Sequence, residues 1–150
     1  GIWLYITTRA RTYQAGRMSF GEFFLTLQGQ KVVGDTELVG HHRFVCECTE
    51  TLLGNDTVNL IGQSLHMHGT GKKMISSIYD KDTSALKHQM LADSFDYHHQ
   101  ANVEYDTPIQ FTGGDKVIVD CFYDERNAHE AASGFFGLGT YDEMCESCVL

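Results

Sequence analysis

The sequence predicts an all-β protein, a sandwich or jelly roll of short antiparallel strands with little helix. Three observations carry that expectation. Stretches rich in β-branched and aromatic residues recur at roughly 8–12-residue spacing, each closed by Gly, Asn or Asp turn signals. Only residues 84–92 have helical character, through Ala85, Leu86, Met90 and Leu91, enough for one or two turns. No repeat, low-complexity tract or linker divides the 150 residues, a length that supports one domain with its own core.

The elements are expected as follows. Ile2-Trp3-Leu4-Tyr5-Ile6-Thr7-Thr8 alternates and reads as an opening strand. A chain that begins at once on such a stretch, with no signal peptide, reads as processed or excised. Residues 17–27 read as a second strand and residues 37–48, which carry His41 and His42, as a third. Gly54-Asn55-Asp56 is a turn. Residues 57–68 and 73–79 form a hairpin around Gly69 and Gly71, and Asp80-Lys81-Asp82 turns the chain back. Residues 95–105 alternate again. Gly113-Gly114-Asp115 introduces Lys116-Val117-Ile118-Val119-Asp120-Cys121-Phe122-Tyr123, the clearest strand. A polar loop over 124–133 and a Gly/Phe-rich stretch over 134–139 lead to a last strand within 141–150.

Composition narrows the functional classes. The net charge is −9, and the basic residues Arg9, Arg11, Arg17, Lys72 and Lys73 form no patch. Nucleic acid is therefore not an expected partner. No apolar run approaches the roughly 20 residues that span a bilayer. Five cysteines, Cys46, Cys48, Cys121, Cys145 and Cys148, are many for a reducing compartment, and their spacing is not that of a zinc finger. They read as disulfides of a secreted or lumenal protein, with the odd thiol free or paired outside the chain. Asn55-Asp56-Thr57 is a glycosylation sequon and agrees with that location.

The chemistry gathers around Leu65-His66-Met67-His68-Gly69-Thr70-Gly71. Residues two apart on a strand share a face, so His66 and His68 can hold one metal ion. Asp142-Glu143-Met144-Cys145 offers a thioether. Two imidazoles and a thioether favour copper over zinc, calcium or magnesium, provided the fold returns Met144 to the histidines. His41-His42, His98-His99, His88 and His129 are expected to be ordinary exposed or hydrogen-bonded histidines, the last two in loops.

Residues 65–73 resemble the His-Thr-His segment of the type II, ascorbate-dependent copper monooxygenases, the dopamine β-hydroxylase and peptidylglycine α-hydroxylating monooxygenase family. Residues 113–123 resemble that family's Pro-Gly-Asp-x-Leu-Ile-x-x-Cys-x-Tyr strand. Gly134-Phe135-Phe136-Gly137 through Met144-Cys145 is similar to its Gly-Gly…Glu-Met-Cys segment, and Gly1–Tyr5 with Ala15, Gly16 and Met18 to the start of its second catalytic domain. The resemblance runs in order over nearly the whole chain. It implies a jelly-roll β-sandwich and a single copper held by His66, His68 and Met144, where oxygen attacks a substrate C–H bond. It also implies a Cys121–Cys145 disulfide, and it leaves Cys148 to pair with Cys46 or Cys48.

The family's other copper, which delivers electrons from ascorbate, sits in a first domain that the match does not contain. Efficient turnover is expected to need that domain as partner. Three positions depart from the pattern. Ser64 stands where peptide-amidating members carry arginine, Glu146 where they carry asparagine, and Cys148 where members have tyrosine. The substrate, a small molecule or a peptide, is therefore not readable. Two classes of function follow: the oxygen-activating half of a copper monooxygenase, or a free-standing secreted copper-binding or structural sandwich.

Overall fold

The computed structural model describes residues 1–127 and 132–150. In chain order its strands are β1 (Met18–Gly21), β2 (Val39–Cys46), β3 (Thr57–Met67), β4 (Gly71–Tyr79), β5 (Leu86–Ala92), β6 (Val103–Thr112), β7 (Lys116–Asp124) and β8 (Cys145–Val149). Among the described residues, two short helices, α1 (Phe23–Gln28) and α2 (Thr49–Leu53), complete the regular structure apart from one 3-10 turn. The strands form two four-stranded sheets, ordered β1-β8-β3-β6 and β2-β7-β4-β5. Every pairing is antiparallel. The result is the all-β sandwich that the strand spacing predicts.

Alternation decides what lies between the sheets. On β7, Val117, Val119, Cys121 and Tyr123 are buried. On β3, Gln63, Leu65 and Met67 point inward, so Ser64 and His66 face outward. The Cys121–Cys145 disulfide crosses from β7 to β8 and ties one sheet to the other. A polar chain also crosses the core. The Gln63 amide donates to the hydroxyls of Ser76 (2.8 Å) and Ser147 (2.7 Å). Its carbonyl oxygen accepts from the Tyr105 phenol at 2.8 Å. The single phenolic proton is thereby used, so Tyr105 accepts from His88 Nε2–H, 2.8 Å away. Burial pushes the Tyr105 phenol up to about 12 and draws His88 down.

Glycine permits two close approaches beneath the site. A Cβ at Gly21 would lie 1.9 Å from the Cys145 carbonyl oxygen, and one at Gly71 would lie 2.8 Å from Met67 Cβ. The first lets β1 reach β8; the second lets the chain turn from β3 into β4.

Several segments differ from the sequence expectation, each for a physical reason. Residues 2–8 form no strand: Ile2, Trp3, Leu4, Tyr5 and Ile6 are at least 81% exposed. Strand-forming residues without a partner ladder do not make a strand. The strand expected over 17–27 stops at Gly21, because the Glu22 carboxylate accepts the Thr26 N–H and starts α1. Residues 84–92 are β5, not helix. Pairing with β4, Ser76 against Met90, overrides a modest helical preference. His88 consequently sits on a strand, not in a loop. Residues 95–102 are irregular, and the strand begins at Val103. It contains Pro108, tolerated because β6 is an edge strand. His129 lies outside the described residues.

Candidate metal centre

The end of β3 delivers both histidines to one place. The His66 and His68 rings stand 4.9 Å apart between centroids, nearly perpendicular at 89°. His66 is half-buried, and His68 is buried.

Each ring has its Nδ1 occupied. His66 Nδ1 lies 2.6 Å from Gln100 Oε1. The Gln100 amide nitrogen donates to the Tyr97 carbonyl at 2.8 Å, which fixes the oxygen toward His66. His68 Nδ1 lies 2.6 Å from the carbonyl oxygen of Asp142. Both partners can only accept, so each histidine donates from Nδ1 and keeps the lone pair on Nε2. This is the arrangement of metal-ligating histidines, oriented by outer acceptors. Burial holds His66 below the usual imidazole range, Gln100 opposing and His68 adding to the effect. A neutral ring is the form that binds a metal.

The strand ladder brings the Met144 segment back to the end of β3. His66 pairs with Glu146 and Met67 with Cys145. Met144 directly precedes Cys145, so its backbone lies at the end of β8 that adjoins the end of β3. Tyr123 holds this point from the opposite sheet by donating to the Met144 carbonyl at 2.8 Å. Among the described residues, no three His, Cys, Asp or Glu side chains gather at one point. Met144, whose thioether is a donor outside those types, stands one residue before the β8 ladder that pairs with this end of β3. A His, His, Met set fits copper.

Two of the three residues before Cys145 bind this place: the Asp142 carbonyl meets the His68 ring, and Glu143 lies between Asp142 and Met144. The Glu143 carboxylate is fully buried and accepts the backbone N–H of His68 (3.1 Å) and of Thr70 (2.6 Å). Burial pushes this carboxyl up, and the bonds from Thr70 and His68 oppose it. Tyr97 packs its ring against His68, centroids 5.9 Å apart. Gln100, Tyr97 and Glu143 were not anticipated as site residues. Nothing in the periodicity of 95–105 marks the first two. Glu143 could have been suspected only from its place beside Met144.

Of the positions that depart from the family pattern, Glu146 pairs with His66. Ser64 pairs with Cys148, and Cys148 with Ser19. The Arg17 guanidinium donates to the Cys148 sulfur and lies 3.6 Å from the Glu146 carboxylate. Those contacts hold Arg17 above the usual guanidinium range. An open pocket of about 390 Å³ flanks Met144, walled by Phe20, Phe23 and Leu138, with Glu22 and Glu146 as its carboxylates.

One cysteine expectation is corrected. Cys148 is bonded to neither Cys46 nor Cys48; it is a buried free thiol. It sits on β8 of one sheet, whereas Cys46 ends β2 of the other. Cys46 and Cys48 are instead joined to each other.

The remaining histidines have other partners. His41 bonds Asp120 at 2.7 Å and stacks on Phe122. His42 bonds the Val32 carbonyl at 2.6 Å among Phe44, Tyr123 and Phe136. His98 packs on Tyr97, and the His99 N–H bonds the Asp96 carbonyl. Asn55 is exposed between α2 and β3, at the far end of β3 from the histidines.

Comparison with known proteins supplies the context. The profile of the copper type II ascorbate-dependent monooxygenase C-terminal domain matches residues 13–150. MOXD1 homolog 1 of Drosophila melanogaster is 26% identical over 97% of this chain and 20% of its own length. Tyramine beta-hydroxylase of Caenorhabditis briggsae is 26% identical over 99% of this chain and 25% of its own length. Dopamine beta-hydroxylase of Equus caballus is 26% identical, with 99% and 24% covered. The chain thus spans about a fifth to a quarter of these relatives. With a profile matched over nearly its full length and the expected sandwich in place, this chain belongs to the copper type II ascorbate-dependent monooxygenases, as their C-terminal domain.

Proposed function

We propose that this domain holds a single copper ion through His66 Nε2, His68 Nε2 and Met144, and is the oxygen-activating half of an ascorbate-dependent monooxygenase. The observation that carries the reading is the pair of bare Nε2 atoms. Both Nδ1 positions are committed to acceptors, Gln100 and Asp142, that have no other evident reason to fix a tautomer. When bound, copper supplies the redox chemistry by which one atom of O2 enters a substrate C–H bond. The chain's part is to hold and orient. Gln100 and Asp142 aim the rings, and Phe20, Phe23 and Leu138 offer an open apolar surface beside Met144.

Two of the relatives are named for hydroxylation of tyramine and dopamine. A small hydroxylatable molecule is therefore a natural class of substrate here. A peptide carboxylate would find Ser64, not arginine, two positions before His66. The disulfides Cys46–Cys48 and Cys121–Cys145 fit an oxidising lumen or the extracellular space, and Asn55 is exposed enough to accept a glycan there. Among the described residues, no helix is long and apolar enough to cross a membrane.

The reading includes a partner, a first copper domain that receives electrons from ascorbate. The chain alone should bind one copper yet give no ascorbate-coupled hydroxylation of tyramine or dopamine under O2. The measurement is product formed per ascorbate consumed. A coupled product from these 150 residues would show that no second copper domain is needed. Absence of stoichiometric copper binding would favour the alternative, a structural sandwich.

A further inference from the structure

We propose that Glu143 is a positioning residue of the copper site, a side chain that ties the His68 half to the Met144 half. The inference rests on the copper reading above and adds a residue that is not a ligand. Glu143 belongs to the Met144 segment by sequence. Its carboxylate nevertheless reaches across to the turn after β3, taking the His68 N–H at 3.1 Å on one oxygen and the Thr70 N–H at 2.6 Å on the other.

The backbone of Glu143 is fixed as well. Its N–H donates to the Phe135 carbonyl at 2.8 Å, and its carbonyl accepts from Gly137 at 3.1 Å. The side chain is therefore a strut between two anchored points, fully screened from solvent. Inside such a site a charge-assisted bond gains strength, and an unpaired amide is costly.

The consequence for His68 is specific. Its ring orientation depends on Nδ1 meeting the Asp142 carbonyl at 2.6 Å, one residue before Glu143. That contact is aligned only while the turn stays docked on the 142–144 segment. If the strut is shortened or loses an acceptor, the His68 ring can trade tautomers and the thioether is no longer held at a fixed offset from it.

The test uses the apo protein first. Long-range proton–nitrogen NMR should show His68 as a single Nδ1–H tautomer in the native chain, with the Thr70 amide proton strongly downfield. Glu143→Gln replaces one acceptor oxygen with a donor. Glu143→Asp keeps the charge but is too short to span both amides. In either variant the His68 signals should report mixed tautomers and the Thr70 proton should move upfield. Copper affinity should fall about 10- to 100-fold, the range for loss of an outer-sphere partner.

A native tautomer, an unmoved Thr70 proton and copper affinity within twofold of native in both folded variants would overturn the proposal. So would failure of both variants to fold, since Glu143 would then be a structural residue of the sandwich. Absence of copper binding by the native chain would instead overturn the copper reading, while the tautomer measurement would still judge the strut.

Discussion

His66→Ala is expected to lower copper affinity by roughly 100-fold or more, beyond what loss of an outer-sphere partner costs. Two donors hold a metal far less well than three. The remaining pair would be His68 and Met144, and the vacated volume beside Gln100 would admit water as a weaker ligand. The fold should survive, because His66 points outward from β3 and its side chain contributes nothing to the core between the sheets. Isothermal titration with copper under reducing conditions measures the loss, and circular dichroism verifies that the sheets persist. Unchanged affinity would mean that the imidazole pair is not the metal site.

Removing the Cys121–Cys145 disulfide should have the largest effect on stability. The bond closes a loop of sequence separation 24. Chain-entropy arguments put its stabilisation at about 3.5 kcal/mol, a large share of a typical domain's 5–15 kcal/mol. Both cysteines are completely buried, so their replacement by alanine also leaves unfilled space between the sheets. Urea unfolding of the double variant Cys121→Ala, Cys145→Ala should show that loss. Copper binding should weaken as well, because Cys145 immediately follows Met144 and the tie to β7 limits how far the thioether can wander. A variant as stable as the native chain would show that packing alone holds β8 to β7.

Much of this architecture was legible before any coordinates. The two strands flanking Gly69-Thr70-Gly71, the strand at 116–123 and the final strand follow from period-2 alternation bounded by turn residues, signals that arise locally; the expected hairpin does not form, because β3 and β4 cross over into opposite sheets and pair with other strands. What could not be read depends on partners. Residues 2–8 look like a strand but have no ladder to join. Residues 84–92 look mildly helical but complete the edge of a sheet, where Met90 faces Ser76. The strand at 103–112 hid behind a proline that only an edge position tolerates.

The same division holds at the site. His66 and His68 sit two apart at the end of one strand, so their proximity was legible in the sequence; Met144 as the third donor is our proposal. Gln100, Asp142 and Glu143 act through a side-chain amide oxygen, a backbone carbonyl and a carboxylate whose targets lie 34, 74 and 75 positions away along the chain. No local pattern encodes those contacts; the sandwich makes them. Cys148 shows the converse error. Counting cysteines assigned it a partner, while the sheet order places it across the sandwich from the proposed one and beside Arg17.

The central claim is a copper centre that joins two imidazoles to the thioether of Met144. X-ray absorption at the copper edge of the reduced, copper-loaded chain tests it most directly. The expected spectrum shows one sulfur scatterer alongside nitrogen, and the sulfur signal vanishes in Met144→Ala while copper remains bound by the histidines. A native spectrum without sulfur, or a sulfur signal that persists in Met144→Ala, would contradict it.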